Sequence, residues 1–384
     1  MQQNKSLSCI VISGLLVAAC IEPYDPGMRG EAGNKFVVMG EVTDQEGYQF
    51  VHVSMASPIG NPEFIPLGGC DIEIYDDKGN TYKLEEFSEG AYRVWIKKEM
   101  LLPGTSFQLN LFTPSGVNVV SDFDRMPECA DIDSLYFERK DLPTSDPDKD
   151  IKGIQFYLDL NGHSTDSKYY RWNMEETWEY HAQYPFEYYF DGEFRRQDPP
   201  DYSKNICWST QAVKSFATLS TTTVSGNRYT RFPLFYVDNS TTKLLIGYSV
   251  LVRQYAISEA SYNFWEQLRI NSEELGGLYE RQPLPVDGNL TNINHPDQKV
   301  IGFFGTASVK SRRIFMEGRL DLEISYDSLC APQRIDRGFR TEYPPSLYPV
   351  NLAVVDGILM VIEPQCVDCT LLGGTLTKPE FWPK

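Results

Sequence analysis

Histidine is nearly absent. Four residues, His52, His163, His181 and His295, are spread over 384 positions, which leaves little material for an imidazole triad or a metal cluster. Basic runs are missing as well. Lys and Arg number 35 against 53 Asp and Glu, and the net charge of −18 argues against nucleic acid or anionic lipid as a partner. There is no GxSxG, HExxH, P-loop or GxGxxG in a strand–helix context, no internal repeat and no coiled-coil heptad. The carboxylates could supply a glycosidase pair, which needs only two acids roughly 5–9 Å apart, but most fall in turns and on polar strand faces. Asp146-x-Asp148-x-Asp150 lacks the Gly and Glu of a calcium loop, which are replaced by Ile151 and Tyr157. No catalytic residue, metal or cofactor is therefore expected.

The N-terminus carries the first positive signal. Lys5 is the only charge in residues 1–19, and the apolar run Leu7–Val17 is too short and too interrupted by Ser8, Ser13 and Gly14 to span a bilayer. A positive start, a short apolar stretch and small residues at the cut describe a secretory signal. The cut reads Val17-Ala18-Ala19-Cys20, a lipobox, so residues 1–19 are expected to be removed and Cys20 acylated. Each buried acyl methylene adds about 0.8 kcal/mol of membrane affinity. Residues 20–34 then form a Pro/Gly-containing tether. Its acidic beginning, Ile21-Glu22-Pro23-Tyr24-Asp25, resembles the surface-export signals of Bacteroidota lipoproteins, with a periplasm-facing protein as the alternative.

Six cysteines remain after that processing: Cys70, Cys129, Cys207, Cys330, Cys366 and Cys369. In an oxidising envelope all six are disulfide candidates, with the connectivity left open by the sequence. Cys366-Val367-Asp368-Cys369 is a CxxC, but it has neither a second pair nor nearby histidines for zinc. The C-terminal stretch 364–384 shows no strand of its own, so a covalent tie to the region of Cys207 or Cys330 is expected.

With 23 Tyr, 24 Pro and 28 Gly, the composition favours strands and turns. Short runs at 36–42, 51–55, 70–75, 90–96 and 107–112 alternate at sandwich spacing. The expected class is all-β, with one or two short helices. It comprises an N-terminal β-sandwich of immunoglobulin/transthyretin-like type over 36–125, a junction at 126–152, and a larger antiparallel β domain over 153–384. Tyr170, Trp172, Met174, Trp178 and Tyr180 share one parity and so one face of a long strand. A helix is expected over 258–270, capped by Ser258, with Ala260, Phe264 and Leu268 as its apolar stripe.

The densest aromatic run, Tyr184, Phe186, Tyr188, Tyr189 and Phe190, follows that strand and precedes Asp198-Pro199-Pro200. Aromatics interleaved with acids can stack on sugars or anchor a protein, so the run is a possible binding surface. Ordinary cross-strand packing is the alternative.

Several motifs in fixed order resemble a Bacteroidota lipoprotein family catalogued as domain of unknown function 4249. They are Glu22-Pro23-Tyr24 after the lipobox, Cys207-Trp208, Asn289 with Asn292-Ile293-Asn294-His295-Pro296, Val300 through Ser308, and the ending Cys366-x-x-Cys369, Gly373-Gly374-Thr375 and Lys378-Pro379-Glu380-Phe381-Trp382. The resemblance carries no catalytic residues. Members are often encoded beside TonB-dependent outer-membrane receptors, which implies a surface accessory. The expected function is thus a non-enzymatic, outer-membrane, surface-exposed lipoprotein that binds a ligand or partners a TonB-dependent transporter. An envelope structural or adhesion protein, or a carboxylate-dependent hydrolase, is the alternative. Asp133-Ser134-Leu135 and Asp327-Ser328-Leu329 also resemble a bacterial O-glycosylation acceptor, with Ser134 and Ser328 as the sites.

Overall fold

A computed structural model describes residues 35–57, 63–144, 146, 150–273, 286–317, 322 and 330–383. Cys20, the tether and Ser328 lie outside the described residues. The described chain is all-β, with one helix of any length.

A ten-stranded sheet organises the molecule. Its main path runs Ile206–Ala212, Tyr169–His181, Gly247–Ile257, Ile301–Glu317, Phe36–Thr43, Gly47–Met55, Ala91–Ile96 and Glu85–Ser88. The 17-residue strand Ile301–Glu317 is the hinge of this order. Its first half pairs in parallel with Phe36–Thr43, from Val37 opposite Ile301 to Thr43 opposite Ala307. Its second half pairs antiparallel with Gly247–Ile257. The sheet therefore runs through the boundary expected between the two domains.

Two smaller sheets cover one face. Phe304, Ile314 and Met316 have the same parity on one strand, so they point to the same side of the sheet. Phe304 joins a core built with Val38, Val51, Ile72, Phe107 and Leu109 from the N-terminal strands. Ile314 and Met316 join a second core with Trp172, Phe156, Val250 and Val252. Each large apolar side chain buried there contributes roughly 1.5–3 kcal/mol. Leu290 and Val300 complete the N-terminal core, so residues 36–125 do not close their sandwich alone. The expected junction is a strand, Ile132–Pro143, paired with Asp150–Asn161.

The expected aromatic parity is realised. Tyr170, Trp172, Met174 and Tyr180 are buried, and Trp178 is half-buried. Trp172 donates its indole N–H to Gln254 Oε1 at 3.0 Å, and Gln254 donates to the Ala130 carbonyl at 2.7 Å. A buried Trp needs such a partner.

The motif from Val300 to Ser308 has a physical role at the parallel seam. Gly302 sits at φ +114°, and a Cβ there would lie 1.9 Å from the Val38 carbonyl oxygen. Asn289 substitutes for a missing strand: its side chain donates to the Phe304 carbonyl at 2.7 Å and accepts from the Phe304 N–H at 3.0 Å. Asn292 Oδ1 accepts from the backbone N–H groups of Asn294 and His295, both at 3.0 Å.

The opposite face of the large sheet has three zones. The helix Glu259–Glu273 packs on the middle, with Phe264 stacked on Phe303 at 5.1 Å between centroids. Ser258 caps it, accepting from the Ser261 N–H at 3.1 Å. Ala260 is exposed and Ser261 is buried instead, so the apolar stripe begins one residue later than expected.

The C-terminal segment straps the second zone. Trp208 and Thr375 exchange two backbone hydrogen bonds of 2.9 Å. Phe381 lies 3.5 Å beneath the Arg313 guanidinium, and Trp382 donates to Glu179 at 3.1 Å. Two disulfides, Cys207–Cys369 and Cys330–Cys366, split the CxxC between separate anchors. Of the six disulfide candidates, Cys70 and Cys129 are free thiols. Each is satisfied locally: Cys70 contacts the Leu67 carbonyl, and Cys129 contacts the carbonyls of Ala130 and Gln254. Burial pushes the Cys129 thiol up to about 11, which keeps it protonated and unreactive. The third zone, over the N-terminal strands, is left bare by the described residues.

Candidate functional site

The bare zone exposes aromatic rings from alternating strand positions. In Gly47–Met55, Gln49, Val51 and Val53 point inward, so Tyr48, Phe50 and His52 point out. Trp95 and Arg93 do the same from Ala91–Ile96, and Phe87 from the edge strand. Tyr48 and Phe50 are each 42% exposed and Trp95 is 53% exposed. The rings form one strip. Phe87 lies 5.8 Å from Phe50, Phe50 6.4 Å from Tyr48, and Tyr48 5.1 Å from Trp95 in an edge-on contact. Arg93 lies between Tyr48 and Phe87, at 4.3 and 5.0 Å from the ring centroids.

Where this strip meets the helix there is a groove of about 400 Å³. Tyr48, Phe50, His52 and Trp265 line its sides, and Met39, Glu41, Arg171 and Asn173 its floor. Arg171 is the fixed point. It projects from Tyr169–His181, which is separated from Phe36–Thr43 by two strands of the sheet, and places one terminal nitrogen 2.9 Å from both Glu41 carboxylate oxygens. Its guanidinium is stacked between Tyr255 at 4.5 Å and Trp265 at 4.2 Å. The residue is only 3% exposed, and its Nε is buried without a partner. Burial pushes the Tyr255 hydroxyl up from its ordinary value, and the Glu41 charge adds to the shift. The arrangement is a neutral ion pair under an aromatic rim, rigid and partly unsatisfied.

A second cleft, of about 440 Å³, lies beside Arg125, Glu128, Asp166 and Lys168. Its charges sit on exposed or half-exposed positions of both signs, without a comparable fixed group. Among the described residues no cluster of three or more His, Cys, Asp or Glu is placed to hold a metal ion.

The aromatic run marked in the sequence lies elsewhere. It is the strand Phe186–Phe190 of a separate five-stranded sheet. Phe190 is fully buried against Phe339 and Tyr348, which removes it from any surface. Tyr188 packs on that same cluster, whereas Tyr184 and Phe186 pack beside Cys330 and Cys366. Tyr189 stacks on Phe186 at 5.3 Å. The rings divide between two small cores because the strand is irregular between Phe186 and Tyr188, which breaks the alternation and leaves Phe186 beside Tyr189 and away from Tyr188 and Phe190. Ser134 is half-buried on the strand Ile132–Pro143. Tyr48, Phe50, Phe87 and Trp95 carry only a partial signal: large apolar residues at outward strand positions, a pattern shared with rings that another element covers.

An all-β protein with an open aromatic groove on its principal sheet is the class that this fold and geometry define. The chain belongs to the family described as domain of unknown function (DUF4249), whose model matches residues 21–313. The match includes every groove residue and ends before Cys330, Cys366 and Cys369. No curated protein matches the chain.

Proposed function

We propose that this protein is a lipid-anchored, non-enzymatic binding protein of the outer membrane, exposed on the cell exterior and working beside a TonB-dependent transporter. The observation that carries the binding role is the bare aromatic face with its preformed groove. Exposed apolar patches of this kind on an otherwise well-covered sheet mark interaction sites. The anchoring role rests on the sequence Val17-Ala18-Ala19-Cys20. An anchor and tether of this kind hold the groove near the barrel, so a weak contact acts at high effective concentration. The disulfide-held strap suits an oxidising compartment.

The experiment is made in cells. Cys20→Ala should abolish palmitate labelling and move the protein out of the membrane fraction, and the wild-type chain should co-purify with a large barrel receptor. Palmitate label that persists in the variant removes the anchor. Wild-type protein recovered from membranes without any barrel partner removes the accessory role and favours the adhesion reading.

A further inference from the structure

We infer that the groove between Tyr48, Phe50 and Trp265 is a saccharide site that takes an uncharged glycan chain. The inference rests on the binding role proposed above and names its ligand class. Four features lead to it.

The rim offers ring faces. The C–H faces of a pyranose are apolar and pack against aromatic side chains, which bring large contact area with few rotors to fix. The strip continues from the groove to Trp95 on one side and Phe87 on the other, with rings spaced 5.1 to 6.4 Å. That continuity suits a chain of sugar rings better than a single compact ligand.

The floor offers hydrogen bonds of both kinds. A sugar hydroxyl donates and accepts at once, so its site needs paired donors and acceptors. Glu41 supplies acceptors, Arg171 donors and Asn173 both, and His52 adds both from the side. Arg171 is already held by Glu41 and stacked on two sides, so little freedom is lost when a ligand arrives.

Charge selects the class. Arg171 and Glu41 neutralise each other within the groove, while the whole chain carries −18. An anionic polysaccharide would be repelled at long range and would meet no free cation on the groove floor. The volume also fits, because small-ligand clefts span about 300–1,000 Å³. A flat protein surface would cover the rim and leave the recessed polar floor unfilled.

The test uses the full chain in detergent micelles, so it needs neither membrane nor transporter. Hexasaccharides of neutral glucan, mannan, xylan and chitin are screened, and binding is quantified by calorimetry with intrinsic tryptophan fluorescence as a second readout. At least one probe should bind with a Kd at or below about 1 mM. Tyr48→Ala and Phe50→Ala sit on the exposed face and leave both cores intact. Each should weaken that binding about tenfold or more with an unchanged melting temperature. Arg171→Lys keeps the charge but loses the planar stack that fixes the floor, and should weaken binding similarly. The inference is overturned if no probe binds, if Tyr48→Ala and Phe50→Ala bind as the wild type does, or if cross-links from these two residues lead to a protein partner and no glycan binds. Failure of the accessory role would be read separately, in the fractionation of Cys20→Ala and in the purification of the barrel.

Discussion

Replacing Gly302 with Ala tests the parallel seam on which the architecture depends. Gly302 has φ +114°, a conformation that costs a non-glycine residue about 1–3 kcal/mol. The added Cβ would also lie 1.9 Å from the Val38 carbonyl oxygen and 2.8 Å from its carbon. Both are backbone atoms, so no side-chain rotation relieves the overlap. The strands Phe36–Thr43 and Ile301–Glu317 must move apart locally, and each seam hydrogen bond lost costs about 1 kcal/mol. The sum is on the order of 4–6 kcal/mol, a large part of the roughly 5–15 kcal/mol that holds a domain folded. Gly116→Ala is the control. Its φ is +85° but nothing lies within 4 Å of the new Cβ, so it should cost only about 1–2 kcal/mol. Urea unfolding, followed by tryptophan fluorescence and by far-ultraviolet circular dichroism, reads both variants. For Gly302→Ala the midpoint should fall sharply, and the two signals should separate, because the N-terminal core loses its connection to the Trp172 core. A Gly302→Ala variant that unfolds at the same midpoint as Gly116→Ala would refute the clash and, with it, the seam as described.

Three further outcomes follow from the packing. Thiol titration of the denatured, unreduced, processed chain should find Cys70 and Cys129 and no others. Cys207→Ser should cost about 2–5 kcal/mol and expose the C-terminal strap to proteolysis, and four or more reactive thiols in the wild type would contradict the pairing. Asp76 closes a turn by accepting from the Lys78 and Asn80 N–H groups, the Asn80 amide and the Tyr82 hydroxyl, at 2.8 to 3.0 Å. Burial opposes its charge, but the donors of Asn80, Tyr82 and Lys78 prevail and hold its carboxyl below the usual value. A lowered folded value stabilises above the unfolded pKa of about 3.9. Asp76→Asn should therefore cost about 1–3 kcal/mol at neutral pH. The difference from wild type should shrink as pH falls through the lowered folded value, and equal losses at pH 7 and at strongly acidic pH would contradict this.

Alternation was the most readable signal in the chain. It located the second half of Gly47–Met55, from Val51, together with Asp71–Asp76 and Ser106–Phe112, because a half-buried strand writes its two faces into residues i and i+2. The same rule placed Trp172 and its neighbours on a buried face, and Ser258 marked the start of the helix. The rule hid the groove for a related reason. Tyr48 and Phe50 occupy outward positions, where local pattern cannot tell an exposed ring from one covered by another element. The run at 184–190 drew attention by density alone, yet its rings are spread over two cores.

The sequence by itself determined the all-β class, the register of the clearest strands and the family resemblance, since each depends on residues close together in the chain. It also showed that the C-terminal segment, lacking a strand, needed a tie. The tertiary structure alone decided that one sheet joins the two halves through a parallel pairing, since Val37 and Ile301 meet from opposite ends of the chain. It decided which cysteines pair, by bringing Cys207 to Cys369 and Cys330 to Cys366 while leaving Cys70 and Cys129 apart. It decided where the groove lies, because Arg171, Glu41 and Trp265 come from three distant segments. The physical reason is common to all three: short-range periodicity fixes which way a side chain points, whereas the choice of neighbour is made by long-range packing that no local window contains.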